Sequence, residues 1–186
     1  RTVSREEAAK YLNVRTLPPY AGIVLEGANG QGQFRPRKSY KSKPTDKKSA
    51  KYLTPYREAY DAMLPVIPGD KDYWDFPEEV REEAFKYKGK PYLFVTEGLI
   101  KAIFPQMHGY PCLAIKGVEM GLTPGLKGKA RREVVLELEK WVKLGFGLTF
   151  LFDADIIRKP GVQKALYSLG SKLKERGGVL LIMTWD

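Results

Sequence analysis

Apolar and polar positions divide the sequence into two parts near residue 90. After that point, short apolar runs alternate with segments whose apolar residues recur at helical spacing. Four runs lack polar alternation, as strands buried on both faces do: Tyr92–Thr96, Cys112–Ile115, Leu148–Phe152 and Val179–Met183. The segments between these runs predict helices. We therefore expect an α/β fold, a parallel sheet of about four strands with flanking helices, over residues 91–186.

The helical segments are indicated by apolar stripes between the strands. Their residues are Leu99, Ile100, Ile103, Phe104 and Met107, then Val134, Val135, Leu138, Trp141 and Val142, then Val162, Ala165, Leu166, Leu169 and Leu173. Each stripe repeats at three or four residues, the period of a helix face. The pattern predicts one helix after each of the first three strands.

Residues 1–90 are less regular and predict a smaller basic α+β subdomain. The capping-box pattern Ser4-Arg5-Glu6-Glu7 predicts a short helix that ends near Asn13. Two short strands, Ile23–Glu26 and Gln31–Phe34, flank a turn signal and predict a hairpin rather than a phosphate-binding loop. Residues 77–88 predict a further helix, with Pro77 in its first turn.

The positive charge of the chain is concentrated in one window. The 186 residues carry a net charge of +10, and the window from Arg35 to Arg57 holds nine basic residues and one acid. Tyr40, Tyr52 and Tyr56 are interleaved with these cations. This pattern is typical of a surface that binds phosphates and stacks bases, although a solvated loop is the alternative.

Other features of the composition restrict the compartment and the chemistry. A single cysteine, Cys112, excludes an internal disulfide and a zinc site made of several cysteines. No apolar run approaches the roughly 20 residues that span a bilayer, so we expect no membrane partner and a cytoplasmic location. The chain begins at Arg1 without a signal-like stretch, and we expect it to be a fragment or a processed protein.

Carboxylates follow the first and third predicted strands. Glu97-Gly98 ends the first strand, and Asp153-Ala154-Asp155 ends the third. Parallel strands bind ligands beyond their carboxyl ends, and residues two apart on a strand point to one side. Carboxylates that converge repel one another unless a cation compensates, and their hard oxygens favour Mg²⁺ or Mn²⁺. The alternative is that these acids only cap helices or form turns.

The same residues carry a family resemblance. An acid-Gly after the first strand and an Asp-x-Asp after the third, here "VTEG" and "LFDAD", resemble the Toprim domain of bacterial primases, topoisomerases and some nucleases. The resemblance covers Pro91 to Trp185. It implies a Toprim-like fold in which Glu97, Asp153 and Asp155 bind Mg²⁺ or Mn²⁺ and are the catalytic residues. Asp-Ala-Asp replaces the usual Asp-Gly-Asp, and "TEGLIKA" and "AIKGV" look closest to primase-like proteins of phage and plasmid replication.

The N-terminal half is similar to the basic subdomain that precedes Toprim in primases of the DnaG type. There an Arg-bearing hairpin is followed by a Lys-Tyr-Leu segment, and "GQFRPRK" and "AKYLTP" occupy those places here. The resemblance implies that a set of basic and aromatic residues faces the template or the nucleotide: Arg35, Arg37, Lys38, Lys51 and Tyr52. Lys101 and Lys116, near the predicted strand ends, are further candidates for contact with phosphates.

The acidic motif argues for metal and phosphate chemistry, and the resemblance, together with the basic N-terminal half, implies a metal-dependent nucleotidyltransferase that synthesises primers on single-stranded DNA for a phage or mobile element. Its expected partners are the template strand, nucleoside triphosphates and a replicative helicase domain in the same full-length chain. Two alternatives remain open, a Toprim nuclease and a non-catalytic nucleic-acid-binding module of a replication helicase. A topoisomerase is disfavoured because no tyrosine stands out as a nucleophile.

Overall fold

Two compact units make up the protein. A computed structural model describes residues 1–41, 45, 49–56, 61–123, 132–152 and 158–183. The first unit comprises Arg1–Glu26 and Gly32–Ala59, and the second comprises Gly27–Gln31 and Tyr60–Asp186. The functional boundary near residue 90 that the sequence predicts stays a prediction.

The first unit is a small antiparallel sheet with one helix. Its elements are β1 (Thr2–Val3), α1 (Arg5–Leu12), β2 (Gly22–Glu26) and β3 (Gly32–Pro36), and the strand order is β1-β2-β3. The capping box is present, because the amide of Glu7 donates to Ser4 Oγ and the Ser4 amide donates to Glu7 Oε2. The helix ends at Asn13, which adopts the left-handed conformation. Both the predicted helix and the predicted hairpin are confirmed.

A phenylalanine is central to the core of the first unit. Phe34 on β3 is fully buried and clusters with other buried side chains: Val3, Ala8, Leu12 and Val24. Gly22 lies opposite Pro36 on the paired strand, and a Cβ there would lie 2.7 Å from the Phe34 ring. The lack of a side chain at Gly22 therefore lets the Phe34 ring pack against the backbone of β2.

The second unit is a mixed α/β structure. Its helices are α2 (Pro77–Glu83), α3 (Leu99–Met107), α4 (Leu136–Lys143) and α5 (Pro160–Glu175), with short 3-10 turns at Tyr73–Asp75 and Val118–Gly121. Its strands are β4 (Phe85–Tyr87), β5 (Lys90–Glu97), β6 (Cys112–Ile115), β7 (Gly147–Leu151) and β8 (Leu180–Met183). Within the described part of the chain, no helix is long and apolar enough to cross a membrane.

The sheet of the second unit confirms the predicted parallel core and adds an antiparallel strand. β6, β5, β7 and β8 are neighbours in that order, and each adjacent pair is parallel. β4 pairs antiparallel with the start of β5. The prediction of a helix over residues 77–88 is wrong at its C-terminal end. The helix ends at Glu83, and Phe85–Tyr87 form the strand β4. Phe85 packs against Tyr92 and Phe94, so contacts with β5 override the local helical pattern.

Apolar packing holds the second unit together. Tyr92 to Phe94 and the whole of β6 are buried, as expected of strands covered on both faces. Trp141 on α4 is fully buried, and its ring meets the rings of Trp74 and Phe146 edge-on at 5.7 and 5.2 Å. Its indole N–H donates to Glu137 Oε1 over 2.8 Å.

The apolar stripe of α3, in contrast, is mostly exposed. Leu99 and Ala102 are buried, whereas Phe104 and Met107 are 69% and 77% exposed and Ile100 and Ile103 are also exposed. The helical spacing was read correctly from the sequence, but spacing alone does not tell which face of a helix another element covers.

Candidate functional site

The carboxyl ends of β5, β6 and β7 meet at one edge of the sheet. Thr96 pairs with Leu151 on β7, and Glu97 pairs with Ile115 on β6. The chain therefore leaves all three strands at the same level. Ligand sites of parallel sheets form at this edge, where the loops diverge.

Of the three acidic residues predicted to bind a metal at this edge, Glu97 is the one that the structure describes. It is exposed and is followed by Gly98, whose φ of 86° is the left-handed conformation that glycine adopts without strain. The Gly98 amide donates to the Ile115 carbonyl over 2.8 Å, which fixes the turn from β5 into α3. A Cβ on Gly117, just after β6, would lie 4.0 Å from Glu97 Oε1. The carboxylate of Glu97 thus lies beside the end of β6.

The other two predicted metal ligands, Asp153 and Asp155, lie outside the described residues. Within the described ranges, no three acidic, histidine or cysteine side chains form a group that could hold a metal ion. Glu97 itself has the properties of a Mg²⁺ ligand, since it is an exposed carboxylate at a strand end. Phe152, the last described residue before Asp153, directly follows β7.

Lys116, predicted to contact phosphates, is half-buried at the end of β6. Its ammonium group donates to the side-chain carbonyl of Gln31 over 2.8 Å. The same Gln31 oxygen accepts the backbone N–H of Asp61 over 3.0 Å. Gln31 and Asp61 were not identified from the sequence, and no local pattern marks them.

Asp61 lies across from Lys116 on the segment that borders β6. The backbone N–H of Met63 donates to the Ala114 carbonyl over 2.7 Å, and the Ala114 N–H donates to the Met63 carbonyl over 2.9 Å, so the two residues form an antiparallel bridge. Because the pair is antiparallel, the residue two before Met63 faces the residue two after Ala114. These residues are Asp61 and Lys116, so the register brings an anion and a cation together.

Asp61 also caps α4. Its Oδ1 accepts the backbone N–H of Glu137 over 2.9 Å and that of Ala62 over 2.7 Å. The local cap residue, Val135, has no side chain that could do so. Burial raises the pKa of Asp61, and burial likewise raises the pKa of Glu137, against the opposing attraction of Lys140. A half-buried polar cluster therefore adjoins the end of β6.

Lys101 lies in the first turn of α3, directly after the Glu97-Gly98 turn. Its backbone N–H donates to the Gly98 carbonyl over 3.1 Å, and the residue is exposed. The structure thus places Lys101 on the helix that begins at this strand end. Its role in phosphate contact stays a prediction.

Several basic residues of the first unit are exposed, among those that the structure describes. The Arg35 guanidinium lies 5.7 Å from the centroid of the Tyr52 ring, close enough for a cation–π interaction. Arg35 is exposed and pairs with Ile23, which is 43% exposed, so both belong to the solvent face of the hairpin. Arg37, Lys38 and Lys51 are exposed as well. The structure thus brings Arg35 and Tyr52 together.

A backbone pair defines the base of the basic loop. Ala50 donates its N–H to the Tyr40 carbonyl over 2.9 Å, and the Tyr40 ring packs edge-on against Tyr20 at 6.2 Å. Of the cations between them, Lys41 is exposed. The other basic residues of the window lie outside the described residues: Lys43, Lys47, Lys48 and Arg57.

Cys112 is a core residue. It is completely buried in β6, and burial raises the pKa of its thiol to about 12. A thiol in this state is protonated at neutral pH and is a poor nucleophile. The structure therefore gives no catalytic role to the single cysteine.

Comparison with known proteins identifies the second unit by family. Residues 86–186 match a family model described as "Domain of unknown function (DUF3854)". The chain belongs to the DUF3854 family. The match covers more than half of the chain and runs from β4 through the whole parallel sheet. No curated protein and no solved structure matches the chain.

Proposed function

We propose that this DUF3854 protein is a metal-dependent nucleotidyltransferase that synthesises primers on single-stranded DNA for replication of a phage or mobile element. The observation that carries the proposal is the adjacency of β5 and β7. Thr96 pairs with Leu151, so β5, which ends at Glu97, and β7, which precedes Asp153-Ala154-Asp155 in the sequence, are neighbouring parallel strands that end at one edge.

In this proposal the second unit has a Toprim-like fold and provides the catalytic residues. Glu97, Asp153 and Asp155 hold Mg²⁺ or Mn²⁺, whose charge would stabilise the phosphate oxygens of a nucleoside triphosphate. Lys101 and Lys116 contribute positive charge at the same strand ends. The observed four parallel strands and the exposed Glu97 carboxylate support this assignment.

The first unit binds the template strand in this proposal. Single strands are held by cations that contact phosphates and by aromatic rings that stack on bases. Arg35 and Tyr52 supply one such pair on the exposed hairpin face. Three neighbouring exposed cations extend the surface: Arg37, Lys38 and Lys51. We expect the protein to act in the cytoplasm with a replicative helicase domain as its partner.

The test is a primer-synthesis assay with single-stranded DNA, Mg²⁺ and labelled nucleoside triphosphates. We expect short labelled oligonucleotides from the wild-type protein and their loss in Glu97→Gln and Asp153→Asn. Both changes keep the side-chain shape and remove the anion that binds the metal. Glu79→Gln on α2 is the matched control, because Glu79 is an exposed glutamate away from the strand ends, and it should leave synthesis unchanged.

The alternatives give different products in the same assay. Shortened DNA that requires Mg²⁺ and Glu97 would indicate a nuclease built on the same residues. Salt-sensitive DNA binding with neither product would indicate a non-catalytic module. Undiminished synthesis in both Glu97→Gln and Asp153→Asn would refute the metal assignment.

A further inference from the structure

The turn between β4 and β5 has a lysine at a position where lysine is uncommon. Tyr87 pairs with Lys90 across the two antiparallel strands, and Lys88 and Gly89 form the turn between them. Both turn residues have positive φ, 50° for Lys88 and 77° for Gly89. Such turns favour glycine, asparagine or aspartate, because other side chains are strained in the left-handed conformation. The other non-glycine residue with positive φ in the described part of the chain is Asn13, which is of a favoured type.

The residues around this turn are basic and aromatic. The stretch Phe85–Tyr92 contains three lysines and no acid: Lys86, Lys88 and Lys90. Among the ion pairs between described residues, Lys88 and Lys90 take part in none. Their positive charge is therefore available to attract an anionic partner.

The end of α2 accounts for the first of the three lysines. The Lys86 ammonium donates to the backbone carbonyl of Arg81, a residue of α2. Glu83, the acid nearest to β4 in the sequence, accepts the Tyr73 hydroxyl over 2.6 Å. Lys86 thus interacts with the preceding helix, whereas Lys88 and Lys90 carry the charge of the turn itself.

An exposed ring is held beside these two cations. Tyr87 is 43% exposed, and its ring packs edge-on against the ring of the buried Tyr92, with 6.2 Å between the centroids. Lys88 Nζ lies 5.4 Å from the centroid of the Tyr87 ring, within the range of a cation–π interaction. Residues that pair across antiparallel strands project to the same side, so Lys90 lies on the side of Tyr87. A buried ring therefore supports the Tyr87 ring, and two lysines flank it.

The chemistry of this surface fits single-stranded nucleic acid. A single strand is bound by cations that contact its phosphates and by aromatic rings on which its bases stack. Two cations without an acid between them favour an anionic partner over an apolar protein surface. In a duplex the faces of the bases are covered by their neighbours, so an exposed ring would have no base to stack on.

The β4–β5 hairpin is separate from the strand-end site of Glu97. β5 runs from Lys90 to Glu97, and its eight residues span about 23 Å at the rise of a strand. The hairpin therefore lies at the opposite end of β5 from the predicted metal ligand. A partner bound at the hairpin would need no metal ion.

We propose that the β4–β5 hairpin is a second binding surface for single-stranded nucleic acid, in which Tyr87 stacks on a base while Lys88 and Lys90 contact phosphates. The inference goes beyond the proposed function, which assigns template binding to the first unit. It does not depend on primer synthesis. It also gives a reason for the lysine at the strained turn position, since the residues that suit this conformation carry no positive charge.

The test measures binding of a fluorescent oligodeoxythymidine to the whole chain over a salt series, together with urea unfolding of each variant. Lys88→Asn removes the cation and supplies a residue type that suits the turn. We expect binding to weaken several-fold and the slope of log K against log salt to fall by about 0.7. The urea midpoint should stay equal or rise, because asparagine adopts positive φ more readily.

A second variant tests the ring. Tyr87→Leu keeps an apolar cover over Tyr92 but offers no ring for a base, so binding should weaken about fivefold or more. The salt slope should not change, because stacking releases no counterions. Tyr87→Phe should restore the wild-type affinity. Lys164→Asn on α5, an exposed lysine of the same unit, is the matched control and should leave binding unchanged.

Two results would overturn the inference and leave the proposed function in place. If Lys88→Asn and Tyr87→Leu bind as the wild type does while Arg35→Ala weakens binding, the hairpin is a solvated turn and only the first unit binds the strand. If Lys88→Asn lowers the urea midpoint and the affinity together, Lys88 has a structural role.

Two further results concern the kind of partner. Duplex DNA that binds as tightly as the single strand, with no effect of Tyr87→Leu, would refute stacking and with it the assignment to single strands. A wild-type protein that binds no single-stranded DNA would refute both this inference and the template binding of the proposed function.

Discussion

Several charged side chains of the two units lie in different environments. In the first unit the cations around the hairpin, such as Arg35 and Arg37, are exposed above a small core built on Phe34. In the second unit Glu137 and Glu139 are only 13% exposed, and each is paired beside a large apolar core. Arg176, at the end of α5, bridges Glu133 and Glu139.

The difference shows two uses of charge in one chain. Exposed cations above a small core contribute little to stability but remain free to meet an anionic partner. Half-buried charges need partners, because an unpaired one would cost several kcal/mol of desolvation. Changes in the first unit should therefore affect DNA binding, and changes to half-buried charges in the second should affect stability and its pH dependence.

The largest effect should come from removing the central side chain of the smaller core. Phe34→Ala should cost about 3–5 kcal/mol, enough to unfold the first unit. Amide hydrogen exchange should show loss of protection in β2 and β3, with β5 and β7 still protected. Ile23→Ala, on the exposed face of the same hairpin, should change stability by less than about 0.5 kcal/mol. Equal loss of protection in both units would mean that they unfold as one.

A smaller effect should follow from removing the cap that Asp61 provides to α4. Asp61→Ala leaves the Glu137 N–H without its acceptor and should cost about 1–2 kcal/mol in urea unfolding. Asp61→Asn keeps the oxygen and should recover most of that loss. If the alanine variant is as stable as the asparagine variant, the capping bond contributes nothing.

Removing a cation of the first unit should change the affinity for DNA and its salt dependence more than it changes the stability of the protein. Arg35→Ala should weaken binding to single-stranded DNA several-fold and lower the slope of log K against log salt by about 0.7, the value for one phosphate contact. Fluorescence anisotropy over a salt series measures both. Lys164→Ala on α5 is the matched control, an exposed cation of the second unit. An equal effect of the two changes would mean that DNA binding does not distinguish the units.

The smallest effect should be a pH dependence caused by Glu137. Burial raises its pKa above 4.5, so the folded state binds the proton more tightly than the unfolded state. The contribution of Glu137 to stability is therefore most favourable below pH 4.5 and decreases as pH rises through the raised pKa. Glu137→Gln keeps an acceptor for Trp141, and its stability relative to wild type should increase from pH 4.5 towards neutrality. Urea midpoints across that range measure this, and a pH-independent difference would contradict it.

Much of the fold was predictable because its signals are local. The helix Leu99–Met107 and the strand Cys112–Ile115 were predicted with their observed bounds, the helix from its periodicity and the strand from its unbroken apolar run. β4 was missed because Phe85–Tyr87 becomes a strand only through its pairing with β5. The site was predictable in part, since Glu97 follows a strand that the apolar pattern marks, whereas Gln31 has no such mark.

The sequence by itself determined the order of the parallel strands and of the helices between them, the concentration of cations between Arg35 and Arg57, and the acids that follow the first and third of these strands. Only the tertiary structure decided which residues lie beside them. Gln31 and Lys116 are 85 positions apart, and Asp61 and Glu137 are 76 apart. The physical reason is that periodicity reports the burial of one element at a time. The partner of a polar side chain depends on the register between segments that are distant in the chain.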